Sequence, residues 1–190
     1  MSGIRLLCYD PASDATGRVN KLVAGADGPF CHCELHFSDG SAFTIYMEGA
    51  AVLRPRRFSS PNYTAVQVPC TREQEALCRA FAAAVVEGGV PFSTLRMVNA
   101  FCRLPSPGVG ADVEPGAHVG HGSFCSELVA EALQAGGVLP ASVAARHVTP
   151  SGLARMLREK GASVEKGARR QAGSGEGGAT QALGFRGSGM

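Results

Sequence analysis

The chain has 190 residues, 45% of them apolar and 18% charged, with a formal net charge of +2. These values fit one folded domain with a sizeable core and exclude a disordered, highly charged chain. No apolar run approaches the roughly 20 residues of a membrane-spanning helix, so stable membrane insertion is not expected.

Nucleic acid is not an expected partner, because the charge is nearly balanced and basic residues do not interleave with aromatics. The densest basic group, Arg54, Arg56 and Arg57, reads as a solvated strand end. The first ten residues hold too short an apolar stretch for a secretory signal. Seven cysteines, at 8, 31, 33, 70, 78, 102 and 125, make an odd count. Without a signal they read as reduced thiols in a cytoplasmic setting and not as a disulfide framework.

In chain order, residues 4–9 suit a first strand and 18–24 a short helix. Residues 30–37 alternate strictly, which puts Cys31, Cys33, Leu35 and Phe37 on one face and His32, Glu34 and His36 on the other. Alone, the second face is the pattern of an ordinary solvated strand. Ser38-Asp39-Gly40 then predicts a hairpin into 42–48. A two-residue loop would mix apolar with polar partners, whereas a three-residue loop pairs Leu35 with Phe43 and Cys33 with Ile45. That register also sets His32 opposite Tyr46 and Glu34 opposite Thr44.

Residues 63–68 read as a further strand, closed by Pro69. Thr71 caps a helix that runs to Gly88-Gly89, with Ala76, Leu77, Ala80, Phe81, Ala84 and Val85 as its expected buried stripe. A shorter helix is expected over 93–102. Residues 103–122 form a long Pro/Gly-rich loop suited to bordering a cleft. Thr149-Pro150 opens a last helix to about residue 160. Residues 161–190 are Gly-rich without periodicity and read as a disordered tail behind a single domain over 1–160.

The chain centres on Ser123-Phe124-Cys125-Ser126-Glu127-Leu128-Val129, a helix start with a cysteine in its first turn. Ser123 is the expected N-cap, and Cys125, Leu128, Val129, Ala132 and Leu133 form the core-facing stripe. Unpaired N–H groups and the positive end of the helix dipole favour a thiolate at Cys125. A thiol needs a base as well, and His32 is the pairing the pattern offers, with Thr44, Tyr46 and Glu34 on its face. A zinc site using Cys31, His32, Cys33 and His36, or His118, His121 and Cys125, fits poorly. Neighbouring strand residues point to opposite sides, and no Cys-x-x-Cys occurs. No cofactor is expected.

Four stretches, in this order, carry a family resemblance. They are Cys31-His32-Cys33-Glu34-Leu35 with its Asp39-Gly40 turn, Pro91-Phe92-Ser93, Phe124-Cys125-Ser126-Glu127-Leu128-Val129, and Val148-Thr149-Pro150. Over roughly residues 4–158 the chain resembles the circularly permuted papain-like cysteine hydrolases, the NlpC-type members in which histidine precedes cysteine. The resemblance implies an α+β fold, with an antiparallel sheet packed on the helix that bears the nucleophile. It also implies a cysteine peptidase or amidase in which Cys125 is the nucleophile and His32 the base. The family's third residue, commonly an acid, falls at Thr44, and Glu34 is the alternative. Tyr46 and His121 are the expected substrate-binding residues. Peptide, protein-conjugate and acyl-lipid substrates all fit such chemistry. A thioester acyltransferase of the lecithin:retinol type, or a catalytically weak member serving as a binding or structural protein, are the alternatives.

Overall fold

The computed structural model describes residues 3–13, 18–47, 49–58, 62–102 and 122–166. Nearly all of the long loop, with His118 and His121, and everything beyond 166 lie outside the described residues. The rest is a mixed α+β fold. Six strands, β1 (Ile4–Tyr9), β2 (His32–His36), β3 (Ser41–Ile45), β4 (Ala51–Pro55), β5 (Tyr63–Val68) and β6 (Ser163–Lys166), form one antiparallel sheet in the order β4-β3-β2-β1-β5-β6. β6 lies inside the span expected to be tail. It pairs Val164 with Val66, an edge ladder too short to leave a periodic signal.

Five α-helices accompany the sheet: α1 (Arg18–Asp27), α2 (Arg72–Glu87), α3 (Thr94–Cys102), α4 (Cys125–Ala135) and α5 (Pro150–Glu159). α4 packs on β2 and β3 with α2 beside it, and α5 packs on β1 and β5. Their shared core joins Ile4, Leu6, Leu35, Phe43, Ile45 and Val66 of the sheet to Leu128, Val129, Leu133, Leu153 and Leu157 of the helices.

The hairpin forms in the expected register, with Leu35 opposite Phe43. Phe37 N–H donates to the Ser41 carbonyl at 2.9 Å across a three-residue loop, and Gly40 takes the left-handed conformation, φ 85°. Asp39 Oδ1 accepts from the Ser41 amide at 2.8 Å and its hydroxyl at 2.7 Å, which stiffens the turn.

The expected stripe of α2 is corrected. Its buried residues are Glu75, Cys78, Ala82 and Val85, while Leu77 is 54% exposed. In an alanine-rich helix several stripes look equally apolar, and the choice falls to larger contacts. Glu75 is buried because its carboxylate accepts the Ser38 amide at 2.7 Å, pinning the hairpin loop to the helix. The cap is as expected: Thr71 and Gln74 form a reciprocal capping box.

The second face of the hairpin strand is not solvated either. Glu34 and His36 are buried, beneath the segment that leaves β4. There Phe58 meets His36 and Tyr63 edge-on at 5.3 and 5.1 Å, and Arg56, expected in solvent, turns inward.

α2 comes close to the chain at Gly136, just past the end of α4. A Cβ there would run into Cys78 Sγ and come to 2.7 Å from the Gln74 carbonyl oxygen, which is backbone and cannot move aside. Gly136→Ala is therefore expected to cost about 1–3 kcal/mol, the usual penalty of overpacking. Thermal denaturation checks this, and an unchanged midpoint would mean the two helices are free to separate.

Candidate active site

The start of α4 is built from the segments that lead into it. Residues 122–124 lie parallel to 91–93: Ser93 N–H donates to the Ser123 carbonyl at 2.7 Å and Ser123 N–H to the Pro91 carbonyl at 2.9 Å. The 91–93 segment is itself held to the β3–β4 connection by Phe92 N–H and the Gly49 carbonyl, at 2.9 Å. Gly122 makes this approach possible, having φ 66° and a position where a Cβ would come within 2.9 Å of the Pro91 oxygen.

Ser123 is not the N-cap. Phe124, extended and fully buried, holds that position and supplies no side-chain cap, so Cys125 is the first helical residue. The Ser123 hydroxyl donates instead to Glu127 Oε2 at 2.7 Å. With no capping side chain, the first-turn N–H groups keep their positive field for an anion at Cys125.

Glu127 is fully buried and receives Arg96 of α3 through both Nε, at 3.2 Å, and Nη2. Ser126 donates to the Val148 carbonyl at 2.7 Å, tying the same turn to the chain entering α5. Arg96 was not legible in the sequence. Glu127 lies off the apolar stripe, and the partners that satisfy it in its buried place, Arg96 and Ser123, are set by tertiary contacts.

His32 is the first residue of β2. Its Nε2 lies 3.3 Å from Thr44 Oγ1 and 3.5 Å from Glu34 Oε1. Thr44 already donates its hydroxyl proton to the Cys33 carbonyl at 2.9 Å, so toward His32 it acts as acceptor. Both neighbours of Nε2 are then acceptors, which fixes a proton on that nitrogen and leaves Nδ1 for other work. Tyr46 stacks on the ring with centroids 5.1 Å apart. Thr44 and Glu34, the two residues expected beside His32, both lie within reach of its Nε2.

Glu34 Oε1 gathers Tyr46 Oη at 3.1 Å, Arg56 Nη2 at 3.3 Å and Tyr63 Oη at 3.4 Å, besides His32. Burial alone would raise its pKa. The hydrogen bond and charge of His32 outweigh that, with help from Arg56 and Tyr46, and keep the carboxyl ionised below its ordinary value. Burial and the Glu34 charge push the Tyr46 phenol up to about 12, so it remains a donor.

The thiol and imidazole perturb each other. Burial would lower the pKa of His32, but the charge of Cys125 and a hydrogen bond to it, together with Glu34, raise it to about 9. Cys125 moves the other way, well below the free-thiol value. A hydrogen bond from Cys33 is the largest cause, and the charge and hydrogen bond of His32 add to it against the cost of burial. Both shifts run in the direction of a thiolate beside an imidazolium.

His121 lies outside the described residues. Of the other site residues expected from sequence, Cys125, His32, Thr44, Glu34 and Tyr46 all come together. Arg56, Tyr63 and Cys33 join them, drawn in by Glu34 and by the start of α4. Among the described residues no group of three His, Cys, Asp or Glu side chains has the arrangement of a metal site. No described helix is long and apolar enough to cross a membrane. A separate cleft of about 400 Å³ opens between α1, α3 and α5, lined by Asp27, Phe101, His147, Thr149, Arg155 and Met156, and neither Cys125 nor His32 borders it. No family model, curated protein or solved structure matches the chain.

Proposed function

We propose that the protein is a cysteine hydrolase, a peptidase or amidase of the permuted papain-like, NlpC-type class. One observation carries the reading. A thiol at the first residue of a buried helix has its pKa drawn well below the ordinary value, in part by an imidazole whose Nε2 lies against Thr44 and Glu34.

The Cys125 thiolate attacks the carbonyl carbon of an amide, isopeptide or ester, and the carbonyl oxygen becomes an oxyanion. Free N–H groups at the start of α4, that of Cys125 among them, stabilise this charge. His32 as imidazolium protonates the leaving amine or alkoxide, and a thioester remains on Cys125. Neutral His32 then takes a proton from water, the resulting hydroxide attacks the thioester, and release of the acid restores the thiolate. Seven free cysteines fit a reducing, cytoplasmic setting for this chemistry.

The test is the pH dependence of Cys125 alkylation by iodoacetamide, resolved from the other thiols by mass spectrometry. The midpoint is expected well below 9.0, the ordinary thiol value, and it should rise in His32→Ala. Turnover needs His32 protonated, so kcat/KM should fall as pH rises through about 9. Slow alkylation at every pH, or a profile indifferent to His32, would leave a packed thiol and favour a binding or structural domain.

A further inference from the structure

We propose that Arg56 is a positioning residue of the site: as the permanent counter-charge of Glu34, it holds that carboxylate and Tyr46 in place while His32 gains and loses its proton. The inference rests on the role proposed for His32 and adds a residue that acts through Glu34.

Arg56 follows β4, and its own N–H donates to the Gly40 carbonyl at 3.0 Å, which ties its backbone to the hairpin turn. From there the side chain turns in over the sheet face that carries His32 and Glu34, and 17% of it stays exposed. Its Cζ lies 5.5 Å from the centre of the Tyr46 ring and 5.3 Å from that of Phe58, so two aromatic rings hold the guanidinium. Its N–H groups reach one target by three routes. Nη2 stands 3.3 Å from Glu34 Oε1. Nη1 donates to Tyr46 Oη, which donates in turn to the same oxygen at 3.1 Å. Nη2 also donates to Tyr63 Oη at 3.5 Å, and Tyr63 passes a hydrogen bond on to Oε1 at 3.4 Å.

Glu34 needs such a partner. Its carboxylate is fully buried, and Oε2 has no hydrogen-bond partner among the described residues, so the charge is held through Oε1. Among the described residues two cations reach that oxygen, Arg56 and, at 3.5 Å, His32. Of the neighbouring groups, His36 on the same strand is engaged by Arg5 at 2.9 Å, and Leu7 stands opposite Glu34 in β1. Tyr9 stands opposite His32, and the charge of Cys125 bears on the imidazole from α4. In the proposed cycle His32 gives its proton to the leaving group and stays neutral until water restores it. During that interval Arg56 is the cation left to a buried carboxylate, and a buried carboxylate without one is strongly unfavourable. Without Arg56, Glu34 would hold the imidazolium in its charged form and make it a reluctant acid. Arginine suits the task because it keeps its charge at every working pH.

The experiment compares Arg56→Gln, which keeps donors and drops the charge, with Arg56→Lys, which keeps the charge, both in the full chain. Three readouts are followed: hydrolysis of an aminocoumarin amide against pH, the NMR titration of the His32 ring, and alkylation of Cys125 by iodoacetamide. Loss of a signal in His32→Ala assigns the ring among the five histidines. In Arg56→Gln the His32 titration and the alkaline limb should rise by about 1 in pH. Its kcat should fall by about 10-fold with KM little changed, while Cys125 still alkylates as a thiolate. Arg56→Lys should restore most of kcat and return the limb. A folded Arg56→Gln with titration and limb unmoved overturns the proposal, and a thiolate at Cys125 then leaves the hydrolase reading standing. If Arg56→Gln does not fold, Arg56→Gln/Glu34→Gln decides, because it leaves no buried carboxylate unpaired. It should match Glu34→Gln alone, since Arg56 acts through Glu34, and a further fall in kcat overturns the proposal. If wild-type Cys125 does not alkylate as a thiolate, both readings fall together.

Discussion

Replacing Cys125 with alanine is expected to abolish hydrolysis of an activated acyl ester or an aminocoumarin amide, and His32→Ala to lower kcat/KM by about 10²–10⁴-fold. The two losses should not add in the double variant, because in the proposed mechanism thiolate and imidazolium act as one unit. Thr44→Ala and Glu34→Gln test the shared hold on Nε2. Thr44→Ala removes one acceptor and leaves Glu34 at 3.5 Å, whereas Glu34→Gln keeps an accepting amide oxygen and removes only the charge, so each alone should cost less than His32→Ala. Glu34→Gln should also move the alkaline limb of the pH profile below about 9, since it removes a charge that favours the imidazolium. The sign for stability follows the same shift. The folded-state pKa of His32 is raised from 6.5 to about 9. Its contribution is complete below pH 6.5 and disappears as pH rises through about 9.

The second large effect concerns folding. Arg96→Met strips the counter-charge from fully buried Glu127 and is expected to destabilise the domain by about 3–5 kcal/mol, the penalty for leaving a buried carboxylate unpaired. The double variant Arg96→Met/Glu127→Gln removes the charge as well and should recover much of that loss. Ser123 keeps an acceptor in the glutamine amide oxygen. Urea denaturation of the two variants checks the ordering. A double variant no more stable than the single one would locate the cost in packing and not in charge.

Much of this was legible in the sequence because it is local. The strict alternation over 31–37 and the Asp39-Gly40 turn were enough to derive the hairpin register, and with it the approach of His32 to Thr44 and Tyr46. The cap at Thr71 and the Thr149-Pro150 start are likewise short-range signals, and both form as expected. The apolar stripe of α4 was readable for the same reason.

What stayed hidden depends on elements distant in the chain. Arg56 reads as surface until it meets Glu34 and Phe58, and Glu127 reads as a polar helix face until Arg96 reaches it from α3. Ser123 has the chemistry of an N-cap. However, the strand-like bridge from 123 to 92 shifts the helix start by one residue and directs the hydroxyl to Glu127.

α4 is buried at Cys125 through Ala130 and again at Ala132 and Leu133, so that nearly the whole circumference of its first two turns is enclosed by protein. Such a helix has little freedom to tilt or to unwind at its start. The orientation of its first N–H groups is settled during folding and is not rearranged when charge develops on a substrate. The reorganisation energy that water would demand at that moment is largely absent. The electrostatic character of Cys125 is thus a property of the whole domain's cohesion. If Cys125 is the nucleophile proposed, distant substitutions that loosen α4 would weaken it without touching it.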